Sequence, residues 1–144
     1  MSSRFPSGDE AGFEILDDEE CLALLRLAHL GRVAVTMGAL PAIFPVNYFV
    51  LDGRVVFRTG QGMKLRAALQ NTVVAFEVDN ADEPSETGWS VLAVGRAEEV
   101  QDPRVVDHVM RQPVHPWAPG DRSHVIAIYP EFLSGRRIRK TSHR

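Results

Sequence analysis

The chain has 144 residues, 44% hydrophobic and 24% charged, with a formal net charge of -3; this is the composition of one soluble globular domain, and it argues against a nucleic-acid-binding role, which calls for an excess of bases. No apolar run reaches the roughly 18 residues of a membrane span, so no membrane association is expected, and Met1–Gly12 lacks the apolar core of a secretory signal. The one cysteine, Cys21, cannot make an internal disulfide and suits a reducing compartment, which makes the cytoplasm the expected location.

Residues 1–14 are polar and rich in Ser, Gly and Pro, the composition of a flexible arm. Asp17 with Glu20 three places on forms a capping-box pattern, and Leu22, Leu24, Leu25 and Ala28 follow at helical spacing, with Gly31 placed to end that helix. From Arg32 the pattern becomes extended: Arg32–Met37 is a strand, Gly38-Ala39 a turn, and Pro41–Val50 a second strand. Proline cannot donate to a ladder, so Pro41 and Pro45 put that strand at a sheet edge or bulge. Asp52-Gly53 signals a tight hairpin whose returning strand is Arg54–Thr59.

Gly60-Gln61-Gly62 breaks the strand and leads into a short helix over Met63–Gln70. A strand over Val73–Val78, a polar loop over Asp79–Gly88 and a long strand from Trp89 to about Val100 come next, with Gly95 as the expected bulge. Asp102-Pro103 starts a helix that runs to about Arg111. Residues 112–122 hold three prolines and read as a loop; His124–Tyr129 is a last long strand and Gly135–Ile138 a short terminal one. Close strand spacing and the Asp-Gly hairpin favour an antiparallel sheet, and about six strands in so short a chain favour a closed or nearly closed barrel.

The segment Phe57–Leu65 carries the strongest chemical signal. Arg58 can fork onto two phosphate oxygens, Thr59 adds a hydroxyl donor, and Lys64 adds a point charge in the first helical turn. Glycines let the backbone approach a ligand there, and a helix start suits an anion. Neither a Walker loop nor a dinucleotide fingerprint is present, because Gly60-x-Gly62 has no third glycine at position 65. No nucleophile set stands out, and His108, His115 and His124 are too irregularly spaced for a metal motif, so no metal is expected and the catalytic residues stay unassigned. Acidic residues crowd the start of the chain, and Arg136, Arg137, Arg139, Lys140 and Arg144 its end. These are either solvated ends, or Arg136 and Arg137 reach an anionic ligand or a neighbouring subunit.

The ordered set Gly31-Arg32-Val33, Pro45-Val46-Asn47-Tyr48, Phe57-Arg58-Thr59-Gly60 with Lys64-Leu65, Trp89-Ser90-Val91 through Gly95, and Ser134–Ile138 resembles the pyridoxamine 5′-phosphate oxidase-like flavin-binding split-barrel proteins over about residues 15–139. The resemblance implies a mainly β fold, a six-stranded antiparallel split β-barrel of Greek-key type, with residues 140–144 as a basic tail. It also implies a homodimer holding FMN at the subunit interface and acting on a small-molecule substrate.

Position by position, it makes Arg58, Thr59 and Lys64 the phosphate and ribityl grip, with Gly62, Met63 and Leu65 around them. Phe44, Pro45, Val46 and Asn47 become the strand facing the isoalloxazine ring. Trp89 and Ser90, with Arg137, become the contribution of the second subunit, and the substrate is expected near Trp117 and Tyr48. His115-Pro116-Trp117 either lines that pocket or forms a rigid surface loop.

The tail departs from the oxidase pattern Arg-x-His, reading Lys140-Thr141-Ser142-His143, which argues against oxidation of vitamin B6. A flavin-dependent oxidoreductase is the first expectation. Its rivals are a deazaflavin-dependent reductase, a non-catalytic flavin- or haem-binding protein of stress or storage, and a barrel interaction module without a cofactor.

Overall fold

The computed structural model describes residues 13–60, 63–113 and 123–139. Its elements in chain order are β1 (Phe13–Leu16), α1 (Asp18–Leu27), β2 (Leu30–Met37), β3 (Leu40–Leu51), β4 (Arg54–Thr59), α2 (Met63–Ala68), β5 (Thr72–Asp82), β6 (Thr87–Glu99), α3 (Pro103–Met110) and β7 (His124–Ile138). All strands lie in one antiparallel sheet of order β1-β7-β4-β3-β2-β5-β6, and β6 pairs back onto β7. Six strands therefore close a ring, as expected, and β1 is an added strand on the outer half of β7. The order β4-β3-β2-β5 is the Greek-key arrangement, a meander whose following strand returns beside its first.

Local chemistry explains the element ends. The Asp17 side chain accepts from the Glu20 N–H at 2.8 Å, and the Glu20 carboxylate accepts from the Asp17 N–H, so the capping box forms. Asp102 caps α3 with Pro103 in its first turn. Asp52 and Gly53 have φ of 51° and 76°, the paired positive values of the tight hairpin turn joining β3 and β4.

Five expectations about the elements are corrected. Gly31 does not end α1, because the helix stops at Leu27 with Ala28 already extended. Gly31 instead sits in β2 where a Cβ would meet the Phe76 ring at 2.4 Å, so this glycine makes room for an aromatic. Phe13 and Glu14 belong to β1 rather than to an arm; residues 1–12 of that arm, and the tail 140–144, lie outside the described residues. The polar stretch 79–88 is mostly ladder, from Asp79↔Ser90 to Asp82↔Thr87, leaving a turn of only 83–86. The helix read over Met63–Gln70 ends at Ala68. The last two strands are one, since β7 runs unbroken through Pro130. It can do so because the register with β6 shifts at Val94/Gly95, which sets Pro130 opposite Gly95 at the expected bulge.

The main core fills the ring. Val33, Val35, Tyr48, Phe57, Phe76, Val78, Val91, Ile126 and Ile128 meet Cys21, Leu24 and Leu25 of α1, which closes one end. Tyr48 is fully buried, donates its hydroxyl to the Leu25 carbonyl at 2.7 Å and packs edge-on to Phe76. Tyr48 is thus a core residue, not the substrate contact the sequence suggested. Cys21 is equally buried, and burial pushes its thiol up to about 11. A second cluster joins Val109 of α3 to Val56, Val125 and Ala127 on the outer wall.

At Gly95 a Cβ would stand 1.9 Å from the Tyr129 carbonyl oxygen. Gly95→Ala is expected to lower stability by about 2–3 kcal/mol through forced backbone shifts, measured as a drop in the urea midpoint. A change within measurement error would mean that the bulge relaxes at no cost.

Candidate functional site

The ring is held unevenly. β3 and β4 pair only from Leu51↔Arg54 to Tyr48↔Phe57, although β3 runs back to Leu40. Beyond Tyr48 the two strands part, and over Leu40–Asn47 β3 keeps β2 as its only strand partner among the described residues. Pro41 and Pro45 lie on this one-sided stretch, as the edge reading requires.

Asn47 and Arg58, next in register after the last ladder pair, face each other across the opening. Asn47 donates from Nδ2 to the His29 carbonyl at 3.5 Å, and the adjacent Tyr48 N–H donates to the same oxygen at 3.0 Å. Phe44 and Val46 turn inward onto the main core, whereas Pro45 is exposed on the outer wall.

Consecutive strand residues point to opposite faces, so Arg58 and Thr59 leave β4 in opposite directions. Thr59 is turned inward and buried; Arg58 is half-buried. Met63 and Lys64 open α2, and Leu65 packs on the main core. Gly62 lies outside the described residues, as does the loop segment with His115, Pro116 and Trp117.

Below this opening sits a polar network that sequence reasoning missed. Glu99, at the end of β6 with its side chain only 8% exposed, accepts from Arg66 Nε at 2.9 Å and Gln70 Nε2 at 2.8 Å through one oxygen. Its other oxygen lies 2.8 Å from His124 Nδ1. Burial alone would push the Glu99 carboxyl up, but the hydrogen bonds from His124, Arg66 and Gln70 with the Arg66 charge outweigh it and hold the group below the usual carboxylate range. Nothing in Glu98-Glu99-Val100 distinguishes this residue from an exposed strand end. His124, one of the three histidines too irregularly spaced for a metal motif, pairs with Thr59 across β4 and β7.

Trp89, Ser90 and Arg137 form a second group. Trp89 pairs with Asn80 on one side and Arg137 on the other, and packs against the main core. Ser90 points the other way, between Asp79 and Arg136. Two concavities, of about 550 and 690 Å³, open beside these residues, the first lined by Asn80, Trp89, Arg137 and Arg139, the second by Phe13, Asp79, Ser90 and Arg136. Arg137 ion-pairs with Glu14 at 3.4 Å and Glu20 at 3.8 Å, and Arg139 with Glu14 at 2.7 Å. Glu14 and Glu20 thus clasp Arg137 and Arg139.

The structure brings Asn47, Arg58 and Thr59 to one opening but leaves the Trp89 group apart. Trp89 and Glu99 lie near opposite ends of β6, about 30 Å along the strand at 3.3 Å per residue, and Glu99 touches the residue opposite Thr59. Among the described residues no group of His, Cys, Asp and Glu could hold a metal ion, and no helix is long and apolar enough to cross a membrane.

Residues 17–137 match the family model for pyridoxamine 5′-phosphate oxidase. The chain belongs to the pyridoxamine 5′-phosphate oxidase-like family. An uncharacterized protein of Mycobacterium tuberculosis is 44% identical over 128 residues, covering 85% of this chain and 84% of that protein. Among solved structures, an FAD-binding protein from Mycobacterium smegmatis is 36% identical with a TM-score of 0.74, covering 88% of this chain and 98% of its own. A Corynebacterium glutamicum protein provisionally assigned as a pyridoxamine 5′-phosphate oxidase is 30% identical with a TM-score of 0.80, covering 94% and 100% respectively. The family's split barrel is the fold found here.

A carboxylate with a depressed folded-state pKa adds stability above its unfolded value, about 4.3, and loses it as pH falls through the folded value. Glu99→Gln is therefore expected to cost about 1–3 kcal/mol at pH 7 and distinctly less at pH 3, compared by urea unfolding. An equal cost at both pH values would show that the charge of Glu99 is not what the network uses.

Proposed function

We propose that this protein is a flavin-dependent oxidoreductase that holds FMN at the opening between β3 and β4 and works as a homodimer on a small-molecule substrate. The observation that carries the reading is the short β3–β4 ladder. It leaves a strand edge, Phe44–Asn47, facing Arg58 and Thr59 of the neighbouring strand. A planar heterocycle with polar edges fits beside such an edge, and a phosphate fits the bases Arg58 and Lys64, with Thr59, turned to the inner side of the same strand end, beside the ribityl chain that joins phosphate to ring. A bound flavin supplies the redox chemistry; the chain grips the phosphate, orients the ring against β3 and shields one of its faces with the barrel wall.

Two features support the dimer. The Trp89 group stands about the length of β6 away from Thr59 within one chain, so it reaches a flavin only from a second subunit. The outer wall of the ring also exposes Ile43 and Val73 to solvent, at 68% and 56%, apolar surface of the kind a partner covers. FAD is the second reading, favoured by the FAD-binding Mycobacterium smegmatis relative at 36% identity. Its dinucleotide would keep the same ring and ribityl contacts and extend beyond the phosphate.

Purified protein is expected to carry a chromophore with the two-band flavin absorption spectrum. Mass spectrometry of the released chromophore tells FMN from FAD and from a deazaflavin, which would show one shifted band. Arg58→Ala with Lys64→Ala is expected to weaken FMN binding about 100-fold or more, from two charge-assisted contacts at about 1.5–3 kcal/mol each, and to leave riboflavin binding unchanged. Failure to take up any flavin would overturn the reading. Light scattering should report a dimer; a monomer with flavin bound would remove the two-subunit site.

A further inference from the structure

His124 carries an atom that the fold leaves unused. Its Nδ1 lies 2.8 Å from Glu99 Oε2, while its Nε2 is buried and has no hydrogen-bond partner among the described residues. Buried polar atoms are rarely left unpaired, because a missing hydrogen bond costs about 1–3 kcal/mol. One without a partner in the protein alone therefore points to a ligand.

The neighbours fix which kind of hydrogen bond it can make. The ionised Glu99 carboxylate only accepts, so His124 Nδ1 must carry the proton and donate it. Glu99 also accepts from Arg66 at 2.9 Å, so a guanidinium already neighbours the carboxylate. An imidazole whose one hydrogen is on Nδ1 has its lone pair on Nε2, which is then an acceptor. The carboxylate–imidazole pair presents a fixed acceptor in the way an oriented dyad does.

Placement identifies what donates to it. Direct partners across an antiparallel pair share a face, so His124 lies beside Thr59 on the inner side of β4 and β7, with Ile126 two residues on along the same face. Thr59 belongs to the phosphate and ribityl grip of the flavin reading, on the ribityl side of Arg58, and this inference rests on that reading. The part of such a ligand that adjoins the phosphate and bears hydrogen-bond donors is its polyol chain. We propose that His124, oriented by Glu99, is a binding residue whose Nε2 accepts a hydrogen bond from a hydroxyl of the ligand's ribityl chain.

The test compares FMN, riboflavin and lumiflavin, which has the ring but no polyol, by quenching of flavin fluorescence with the full chain. His124→Phe is expected to weaken FMN and riboflavin alike, by about tenfold for one lost hydrogen bond, and to leave lumiflavin unchanged. His124→Gln, which keeps an acceptor, should recover part of that loss. The phosphate-grip variant has a different signature, losing FMN alone. In wild-type protein labelled with 15N-histidine, the Nε2 resonance assigned to His124 should shift with riboflavin and stay put with lumiflavin. An Nε2 signal unmoved at riboflavin saturation, or an equal loss of all three ligands in His124→Phe, overturns this inference while the flavin reading stands. Wild-type protein that binds none of the three removes the flavin reading and this inference together.

Discussion

The ring depends on one ladder, between β6 and β7. It is the closure that turns an open sheet into a barrel, and it runs from Gly88↔Ile138 to Glu99↔Ile126. Strands this long must bend to wrap a small core, and the bend is set at Gly95, where backbone approaches backbone too closely for any side chain. On its other edge β7 serves two partners in succession, β4 over His124–Ile128 and β1 over Gly135–Ile138. β4 is thus committed to β7 from Val55 to Thr59, while β3 is committed to β2 from Leu40 to Asn47. The two can stay together only near their shared hairpin, and the opening between them follows from those prior commitments.

That arrangement gives the opening unlike walls. One is the β3 edge with its prolines, chemically bland and rigid. The other ends in Arg58 and Thr59, aimed to opposite sides of β4, with a buried ionic network under Thr59. Glu99 belongs to β6, yet it ties down Arg66 and Gln70 beyond the opening and His124 on β7. A single carboxylate therefore links the closing ladder to α2, which carries Arg66. Burying it is tolerable because every partner it needs is present.

Features that depend on neighbouring residues alone were legible in the sequence. Asp17 with Glu20, Asp52-Gly53 and Asp102-Pro103 each specify a turn or cap by local chemistry, and each forms where it was read. Pro41 and Pro45 also reported their edge correctly, since a missing N–H is a local fact with a sheet-wide meaning. The failures share a different cause. Gly31 carries a helix-stop signal, but its smallness answers to Phe76, which is distant in the chain. The 79–88 stretch lacks apolar alternation because its end of the hairpin is largely exposed on both faces. Pro130 looks like a strand break until Gly95 stands opposite it. Glu99 and His124 were invisible as a pair because only the closed ring brings them within reach. Residues that the family resemblance singled out on β3 and β4 flank the opening; the network beneath it exists only once the ring is closed.

The clasp between the chain's ends carries a consequence for how the protein is made. Glu14 and Arg137 are separated by 123 residues, and among the described residues β1 has no strand partner but β7. On a chain emerging from the ribosome, β1 must stand idle until β7 has been synthesised. The hairpin of β3 and β4 and that of β5 and β6 can form early, but the barrel cannot shut before then. Distant closures of this kind slow folding, and they leave strand edges exposed for the duration of synthesis. The acidic start and the basic end attract each other over longer range than apolar contacts do, which favours their meeting once both exist.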